Sequence, residues 1–116
     1  MDHRKNDAYF RQRNLDDLQF IIAHTEGLSE IQFGQDPVLQ DSMMFRLIQV
    51  SENAQRLTDH FKASFSAIPW RDVYGLRNRI VHDYGAVDLH IVFTTLTRDI
   101  PDLLRELSGG MPRQSG

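Results

Sequence analysis

Apolar side chains recur at helical spacing along almost the whole chain, and this periodicity limits the fold more than any other feature. The first run covers about residues 7–26, and the second begins at Pro37 and continues for about seven turns. A third run begins near Trp70 and a fourth after Asp88. No segment of the sequence alternates between apolar and polar residues as a half-buried strand does. We therefore predict an all-α fold, an up-down bundle of four main helices.

Glycine and proline mark where these helices begin and end. Gly27 interrupts or ends the first helix, and Asp36, which a proline follows, is a favourable start for the second. Nothing breaks the second helix before residues 64–67, so it is predicted to be the longest element. Gly85 ends the third helix. Pro101 removes one backbone donor from the fourth helix, which predicts a kink or a break there.

Size and composition indicate one small domain. The chain has 116 residues, which suffice for a single core. We predict a helical domain over residues 1–107 and a flexible tail over residues 108–116. The sequence has no apolar run long enough to span a bilayer and no signal-peptide pattern at its start, so we expect a cytoplasmic location. Without cysteine, disulfides, thiolate metal sites and thiol nucleophiles are excluded.

The net charge of −3 has the wrong sign for binding nucleic acid by bulk electrostatics. Any contact with RNA or DNA must therefore come from a local cluster of arginines. Arg71, Arg77 and Arg79 are the candidates for such a cluster, although Asp72 and Asp83 reduce its positive charge.

Residues 77–84 hold the densest group of reactive side chains, an Arg-x4-His-x-Tyr pattern formed by Arg77, His82 and Tyr84. A guanidinium can bind a phosphate at two points and offset the charge that grows in the transition state. An imidazole can take a proton from a ribose 2′-hydroxyl or give one to the leaving oxygen, and Asn78 can orient the phosphate or the ring. These groups suit phosphodiester cleavage without a metal. The sequence has no metal-ligand motif, and no cofactor is expected.

Helical geometry sets a condition on this interpretation. Arg77 and His82 are five residues apart, so their Cβ directions differ by about 140° around an ideal helix. The two side chains do not point at one another. A groove between two copies of this helix would bring them together more readily, and this favours a symmetric dimer.

Each of these side chains also has a structural interpretation. Arg77 lies beside an apolar stripe and can pair with a carboxylate of the second helix, for which Glu52 is the natural candidate. His82 near a helix C-terminus can interact favourably with the helix dipole. Tyr84 can lie at the edge of the core, and Trp70 within it. Spacing alone therefore leaves both catalysis and structure open.

Residues 68–84 (IPWRDVYGLRNRIVHDY) resemble the HEPN superfamily and, within it, the HepT-like toxins of bacterial HepT/MntA toxin–antitoxin systems. Residues 47–57 resemble the second helix of that family, and residues 99–104 resemble its closing segment. The resemblance covers about residues 15–107. Family members commonly have Gly-Glu-Ala where this chain has Ser-Glu-Asn at residues 51–53.

The resemblance implies a dimeric helical bundle and a metal-independent endoribonuclease whose Arg-x4-His motif lines a cleft at the dimer interface. Arg77 and His82 would be the catalytic pair, with Asn78 and Glu52 as supporting residues. It also implies a partner, an MntA-like nucleotidyltransferase antitoxin that transfers AMP to Tyr84. Such bulky anionic groups would obstruct the cleft and repel an RNA phosphate.

Two other functions stay open at this point. The superfamily includes non-catalytic members that bind a nucleotide or serve as a partner module of a nucleotidyltransferase, so fold alone does not establish cleavage. Such a module would form a tight complex and leave RNA intact. A bundle without any ligand is a third possibility, against which the clustered polar side chains argue.

Overall fold

The computed structural model describes residues 3–83 and 87–109, with the backbone alone for residues 3–5 and 81–83. In chain order the helices are α1 (His3–Thr25), α2 (Glu30–Gly34), α3 (Pro37–Gln55), α4 (Asp59–Ser64), α5 (Trp70–Asp83), α6 (Leu89–Thr94), a π-helical segment (Thr95–Asp99) and α7 (Ile100–Gly109). The long elements α1, α3, α5 and the continuous run from α6 to α7 are the four predicted main helices. Over the described ranges the chain has no strand, and the predicted all-α bundle is confirmed.

The centre of the bundle is α3, which packs against both α1 and α5, while α1 also packs against α7. The interior of the bundle contains large apolar side chains that are at most 1% exposed: Leu18, Ile21, Phe33, Met43, Leu47, Val50, Leu96, Ile100 and Leu107. Burying one such side chain contributes about 1.5–3 kcal/mol. Packing of these faces, rather than helix propensity, therefore stabilises the helices.

The predicted length of the second helix is wrong. Instead of reaching residue 64, α3 ends at Gln55, and α4 begins after Thr58. The hydroxyl of Thr58 accepts a hydrogen bond from the N–H of Phe61 and caps α4, at 3.1 Å. The buried carboxylate of Asp7 accepts from the N–H and the hydroxyl of Thr58 at 2.8 and 2.7 Å. These bonds hold Thr58 in an extended conformation, and the helix is interrupted there.

We expect Asp7→Ala to lower the free energy of unfolding by about 2–3 kcal/mol, because Thr58 would lose two hydrogen bonds to a charged acceptor. Urea denaturation followed by circular dichroism measures this difference. Asp16→Ala is the matched control, since Asp16 is exposed on the same helix and accepts from Gln12 at its surface. The control should change stability by less than about 0.5 kcal/mol. Equal stability of the two variants would show that the Asp7–Thr58 contact is not a stabilising one.

The connection between α1 and α3 contains α2, a short helix that the apolar periodicity does not predict. Gly27 ends α1 with a φ of +77°, a conformation that glycine adopts without strain. Ser29 and Gln32 then form a capping box, in which each side chain accepts from the other residue's N–H at 3.1 and 2.9 Å. The Ser-x-x-Gln spacing was the signal for this helix. It carries Phe33 into the core.

The fourth run is not broken into two pieces at Pro101: the backbone stays helical, and the α-helical hydrogen-bond pattern changes to a π-helical one just before the proline. In the π-helical segment the N–H of Ile100 donates to the carbonyl of Thr95, five residues back. Pro101 has no backbone N–H and cannot donate to a carbonyl of the preceding turn. The wider π-helical turn therefore ends just before the proline. The run then continues to Gly109, two residues into the predicted tail.

Two further predictions concern the ends of helices. Asp88 caps α6 as expected, because its carboxylate accepts from the N–H groups of His90 and Ile91 at 2.9 and 3.4 Å. The predicted end of α5 at Gly85 and the tail over residues 110–116 lie outside the described residues. None of the described helices combines the length and the apolar character needed to cross a membrane.

Candidate functional site

The site is built where α3 and α5 pack together, and a buried serine sets their relative position. The hydroxyl of Ser51 donates to the backbone carbonyl of Tyr74 at 3.0 Å and has no exposed surface. Glu52 is the next residue of α3, and Arg77 lies almost one turn beyond Tyr74 on α5. This hydrogen bond depends on the side-chain hydroxyl at position 51. It places Glu52 opposite Arg77.

Arg77 and Glu52 form an ion pair, with Nε of Arg77 2.5 Å from Oε2 of Glu52. This pair is the one that the structural interpretation of Arg77 predicts. Both side chains are about two-fifths exposed, at 41% and 40%. An ion pair this accessible contributes about 0–1 kcal/mol to stability. Glu52 therefore orients the guanidinium without holding it so strongly that a phosphate could not compete.

Arg77 and Glu52 belong to an open groove of about 560 Å³, which we call the α1–α3 groove. It lies between the first half of α1 and the second half of α3, and one residue of α5 reaches it. Its lining residues are Tyr9, Phe10, Arg13, Ile48, Gln49, Glu52, Asn53, Arg56 and Arg77. Three guanidinium groups and two aromatic rings thus surround one carboxylate.

The prediction that Arg71, Arg77 and Arg79 form one cluster is wrong, because the three side chains line different grooves. The arginines that line the same groove as Arg77 are instead Arg13 of α1 and Arg56, the residue that follows α3, and both are far from Arg77 in sequence. Sequence spacing along α5 could not reveal them. Only the packing of α1 against α3 brings them near the motif.

Asn78, predicted as a supporting residue, does not line the α1–α3 groove. It lines a neighbouring groove whose other residues are Gln55, Lys62, Arg71, Tyr74 and Gly75. Its side chain is exposed. A joint action of Arg77 and Asn78 on one phosphate within a single protomer therefore has no support in the packing of the described residues.

His82 belongs to the last turn of α5, but its side chain lies outside the described residues, as does the whole of Tyr84. The catalytic role of His82 and the modification of Tyr84 stay predictions. Trp70, predicted to lie within the core, is only partly buried and packs against it, and its indole N–H lies 3.2 Å from the carbonyls of Lys62 and Phe65. Over the side chains that the structure describes, no three histidine or acidic residues are grouped as a metal site would require.

Comparison of the sequence with known proteins identifies the family of this chain. A sequence model of the family described as Ribonuclease HepT-like matches residues 14–108. The chain belongs to the HepT-like ribonuclease family. The match contains α1 from residue 14 onward, the whole α1–α3 groove apart from three residues of α1, and the Arg-x4-His block.

Three relatives carry ribonuclease names. The chain is 29% identical over 93 residues to a protein of Caldanaerobacter subterraneus subsp. tengcongensis named as a candidate RNase, a match that covers 80% of this chain and 83% of that protein. It is 29% identical over 86 residues to a probable ribonuclease HepT of Thermococcus cleftensis, covering 74% and 78%. A candidate RNase of Methanocaldococcus jannaschii is 22% identical over 93 residues, covering 80% and 85%. No solved structure matches the chain significantly.

Proposed function

We propose that this HepT-like protein is the toxin of a type VII toxin–antitoxin system, an endoribonuclease that cuts RNA without a metal ion. The observation that carries the proposal is the position of Arg77, which is exposed in a groove with two further arginines and two aromatic rings. Arginine and aromatic side chains are the groups that bind the phosphates and bases of single-stranded RNA. The chain's family is a ribonuclease family.

Arg77 would bind the scissile phosphate. Its Nε is directed at Glu52, and a phosphate oxygen can approach the same planar guanidinium from the groove. As the 2′-oxygen attacks phosphorus, negative charge grows on the phosphoryl oxygens, and a fixed cation stabilises it. The ion pair with Glu52 limits rotation of the long arginine side chain, so less conformational entropy is lost when the phosphate binds.

His82 would carry out the proton transfer. One imidazole takes the proton of the ribose 2′-hydroxyl, the 2′-oxygen forms a bond to phosphorus, and the bond from phosphorus to the 5′-oxygen breaks. The leaving 5′-oxygen takes up a proton in turn. The products are a 2′,3′-cyclic phosphate and a free 5′-hydroxyl, and no water or metal enters the bond-breaking step.

An exposed apolar stripe supports a dimer that completes this site. Val38 and Phe45 on α3 are 79% and 57% exposed. They precede Glu52 at intervals of seven residues, so the three side chains lie within about 40° of one another around the helix. The stripe runs along α3 towards the Arg77–Glu52 pair. A second copy that covers it would bring another α5 towards the same groove, and Arg77 of one copy could then meet His82 of the other.

The antitoxin in this proposal is an MntA-like nucleotidyltransferase that transfers AMP to Tyr84. Tyr84 follows α5 directly and is two residues from His82 in sequence. Each AMP group adds a purine and a negatively charged phosphate at that place. Both the bulk and the charge oppose binding of RNA.

The proposed reaction predicts the chemistry of the RNA ends. Incubation of a defined oligoribonucleotide with the pure protein in excess EDTA should give fragments that end in a 2′,3′-cyclic phosphate and begin with a 5′-hydroxyl. Mass spectrometry of the fragments distinguishes this end from a linear phosphate by the mass of one water. Fragments with a 5′-phosphate, or cleavage that EDTA abolishes, would rule out the metal-independent mechanism.

The ion pair between Glu52 and Arg77 favours a second candidate function, a non-catalytic partner module of a nucleotidyltransferase. In that function Arg77 would serve the packing of α3 and α5 and would not bind phosphate. The same assay decides between the two functions when the wild-type protein is purified free of its partner. Intact RNA together with a stable complex with the nucleotidyltransferase would establish the module and exclude the ribonuclease.

A further inference from the structure

We infer that the α1 side of the α1–α3 groove is a binding subsite for the RNA nucleotide next to the scissile phosphate. Its residues are Tyr9, Arg13, Asn53 and Arg56, none of which belongs to the Arg-x4-His motif. The inference rests on the proposed function in one respect, that Arg77 holds the scissile phosphate. When an RNA strand binds with its scissile phosphate at Arg77, the next nucleotide of the strand lies nearby. The α1–α3 groove extends from Arg77 and can receive that nucleotide.

The charge of the groove is complementary to an RNA backbone. Arg13 and Arg56 are both exposed, and among the described residues neither forms an ion pair with a carboxylate. Glu52 is the one acidic side chain that lines the groove among the described residues, and it is paired with Arg77. On a chain of net charge −3, this is a local excess of positive charge. Two guanidinium groups that pair with no described carboxylate, beside a third, can bind successive phosphates.

Aromatic rings hold these arginines and leave a surface for a base. The guanidinium of Arg13 lies 5.8 Å from the ring centroid of Tyr9, and its Nη1 donates to the Tyr9 hydroxyl at 3.2 Å. The guanidinium of Arg56 lies 5.5 Å from the ring centroid of Phe10. The ring of Tyr9 is 54% exposed and meets Phe10 edge to face. An exposed ring beside two cations is the arrangement on which single-stranded bases stack.

A buried polar group provides an independent sign of a ligand. Asn53 lines the groove and is only 7% exposed, yet its Nδ2 has no hydrogen-bond partner among the described residues. Leaving a buried donor unsatisfied is costly, and native structures do so rarely. The Nδ2 atom is itself buried, so a shift of the Asn53 side chain on binding is needed before a phosphate oxygen or a base carbonyl in the groove can accept from it.

The groove also has a suitable size. Its volume of about 560 Å³ lies within the range of about 300–1,000 Å³ that small-ligand sites occupy. It is open to solvent along one side, as a site for a continuous strand must be. The occupant that charge, aromatic surface and free donor together favour is therefore single-stranded RNA.

Binding of a non-cleavable RNA tests the subsite separately from catalysis. A fluorescein-labelled oligoribonucleotide with 2′-O-methyl groups has no free 2′-hydroxyl, and anisotropy gives its Kd without cleavage. Tyr9→Ala should raise the Kd about 5- to 100-fold. Arg13→Ala and Arg56→Ala should each reduce the slope of log K against log salt by about 0.7, because one phosphate contact is lost. Asn53→Ala should weaken binding at every salt concentration and leave the slope unchanged.

Arg105→Ala is the matched control, since Arg105 is an exposed arginine on α7 that pairs with Asp102 and lines a different groove. It should leave both the Kd and the salt slope at the parental values. Parental binding by Tyr9→Ala, Arg13→Ala and Arg56→Ala would overturn the subsite, as would an equal loss in Arg105→Ala. A change in the monomer–dimer equilibrium of Arg13→Ala at unchanged RNA affinity would assign the groove to a second copy instead.

The two proposals fail in different ways. A wild-type protein that binds the methylated RNA through these residues but leaves ordinary RNA intact would keep the subsite and remove the ribonuclease. A wild-type protein that cleaves RNA, with variants of the groove that bind and cleave like the parent, would keep the ribonuclease and remove the subsite.

Discussion

We expect Arg77→Ala to cleave RNA at least about 100-fold more slowly than the wild-type protein, since removing one transition-state cation or donor typically costs this much. His82→Ala should show a loss of about 100- to 10,000-fold, the range for a general acid or base. Initial rates on a fluorogenic oligoribonucleotide measure both. The Arg77→Ala protein should stay folded, because its ion pair with Glu52 is solvent-exposed and contributes at most about 1 kcal/mol.

Arg105→Ala serves as the control for loss of an exposed arginine and should retain the full rate. Mixing the two inactive variants tests the geometry across the groove. If Arg77 of one copy acts with His82 of the other, each mixed dimer contains one intact site and part of the activity returns. A folded Arg77→Ala protein that cleaves at the wild-type rate would remove Arg77 from the mechanism. Absence of recovery in verified mixed dimers would remove the site shared between two copies.

The second large effect is expected at Tyr84. Incubation with the partner nucleotidyltransferase and ATP should increase the mass of the wild-type protein in steps of one AMP group, and Tyr84→Phe should show no increase. Phenylalanine keeps the ring and removes only the hydroxyl that would accept the phosphoryl group. Intact-protein mass spectrometry measures the product directly.

Tyr74→Phe is the matched control on the same segment. Tyr74 is half-buried on α5, and its hydroxyl contacts the ammonium group of Lys62. This variant should gain AMP like the wild-type protein. Unchanged modification of Tyr84→Phe would place the acceptor at another residue. In the proposed mechanism the modified wild-type protein should also cleave RNA more slowly, and modified Tyr84 with undiminished cleavage would exclude neutralisation by this route.

Local sequence signals predict the parts of the fold that short-range interactions determine. The periodicity of α1 and α3 places Leu18, Met43 and Leu47 in the core, and the carboxylate of Asp88 caps α6. The break between α3 and α4 escapes such analysis, because Asp7 stabilises it from a helix 51 residues earlier. Thr58 is a possible N-cap within this segment, but the contact that holds it comes from Asp7 and is not visible in the local pattern.

The candidate site also has one part that the sequence predicts and another that it does not. The pair of Arg77 and Glu52 follows from the apolar stripes of two neighbouring helices, and the sequence suffices to propose it. Arg13 and Arg56 could not be associated with Arg77 in advance, because no spacing rule connects residues on three helices. The packing of α1 against α3 determines which arginines share a groove. The local motif therefore predicts the reacting group, and the tertiary fold supplies its surroundings.

The division of the groove among α1, α3 and α5 has a consequence for synthesis on the ribosome. Tyr9 is synthesised 68 residues before Arg77. The wall of the groove that α1 forms is therefore made well before α5, which carries Arg77. A truncated or half-translated product therefore lacks the assembled groove. In the proposed mechanism, RNA binding requires that α5 has been synthesised and has packed against α3.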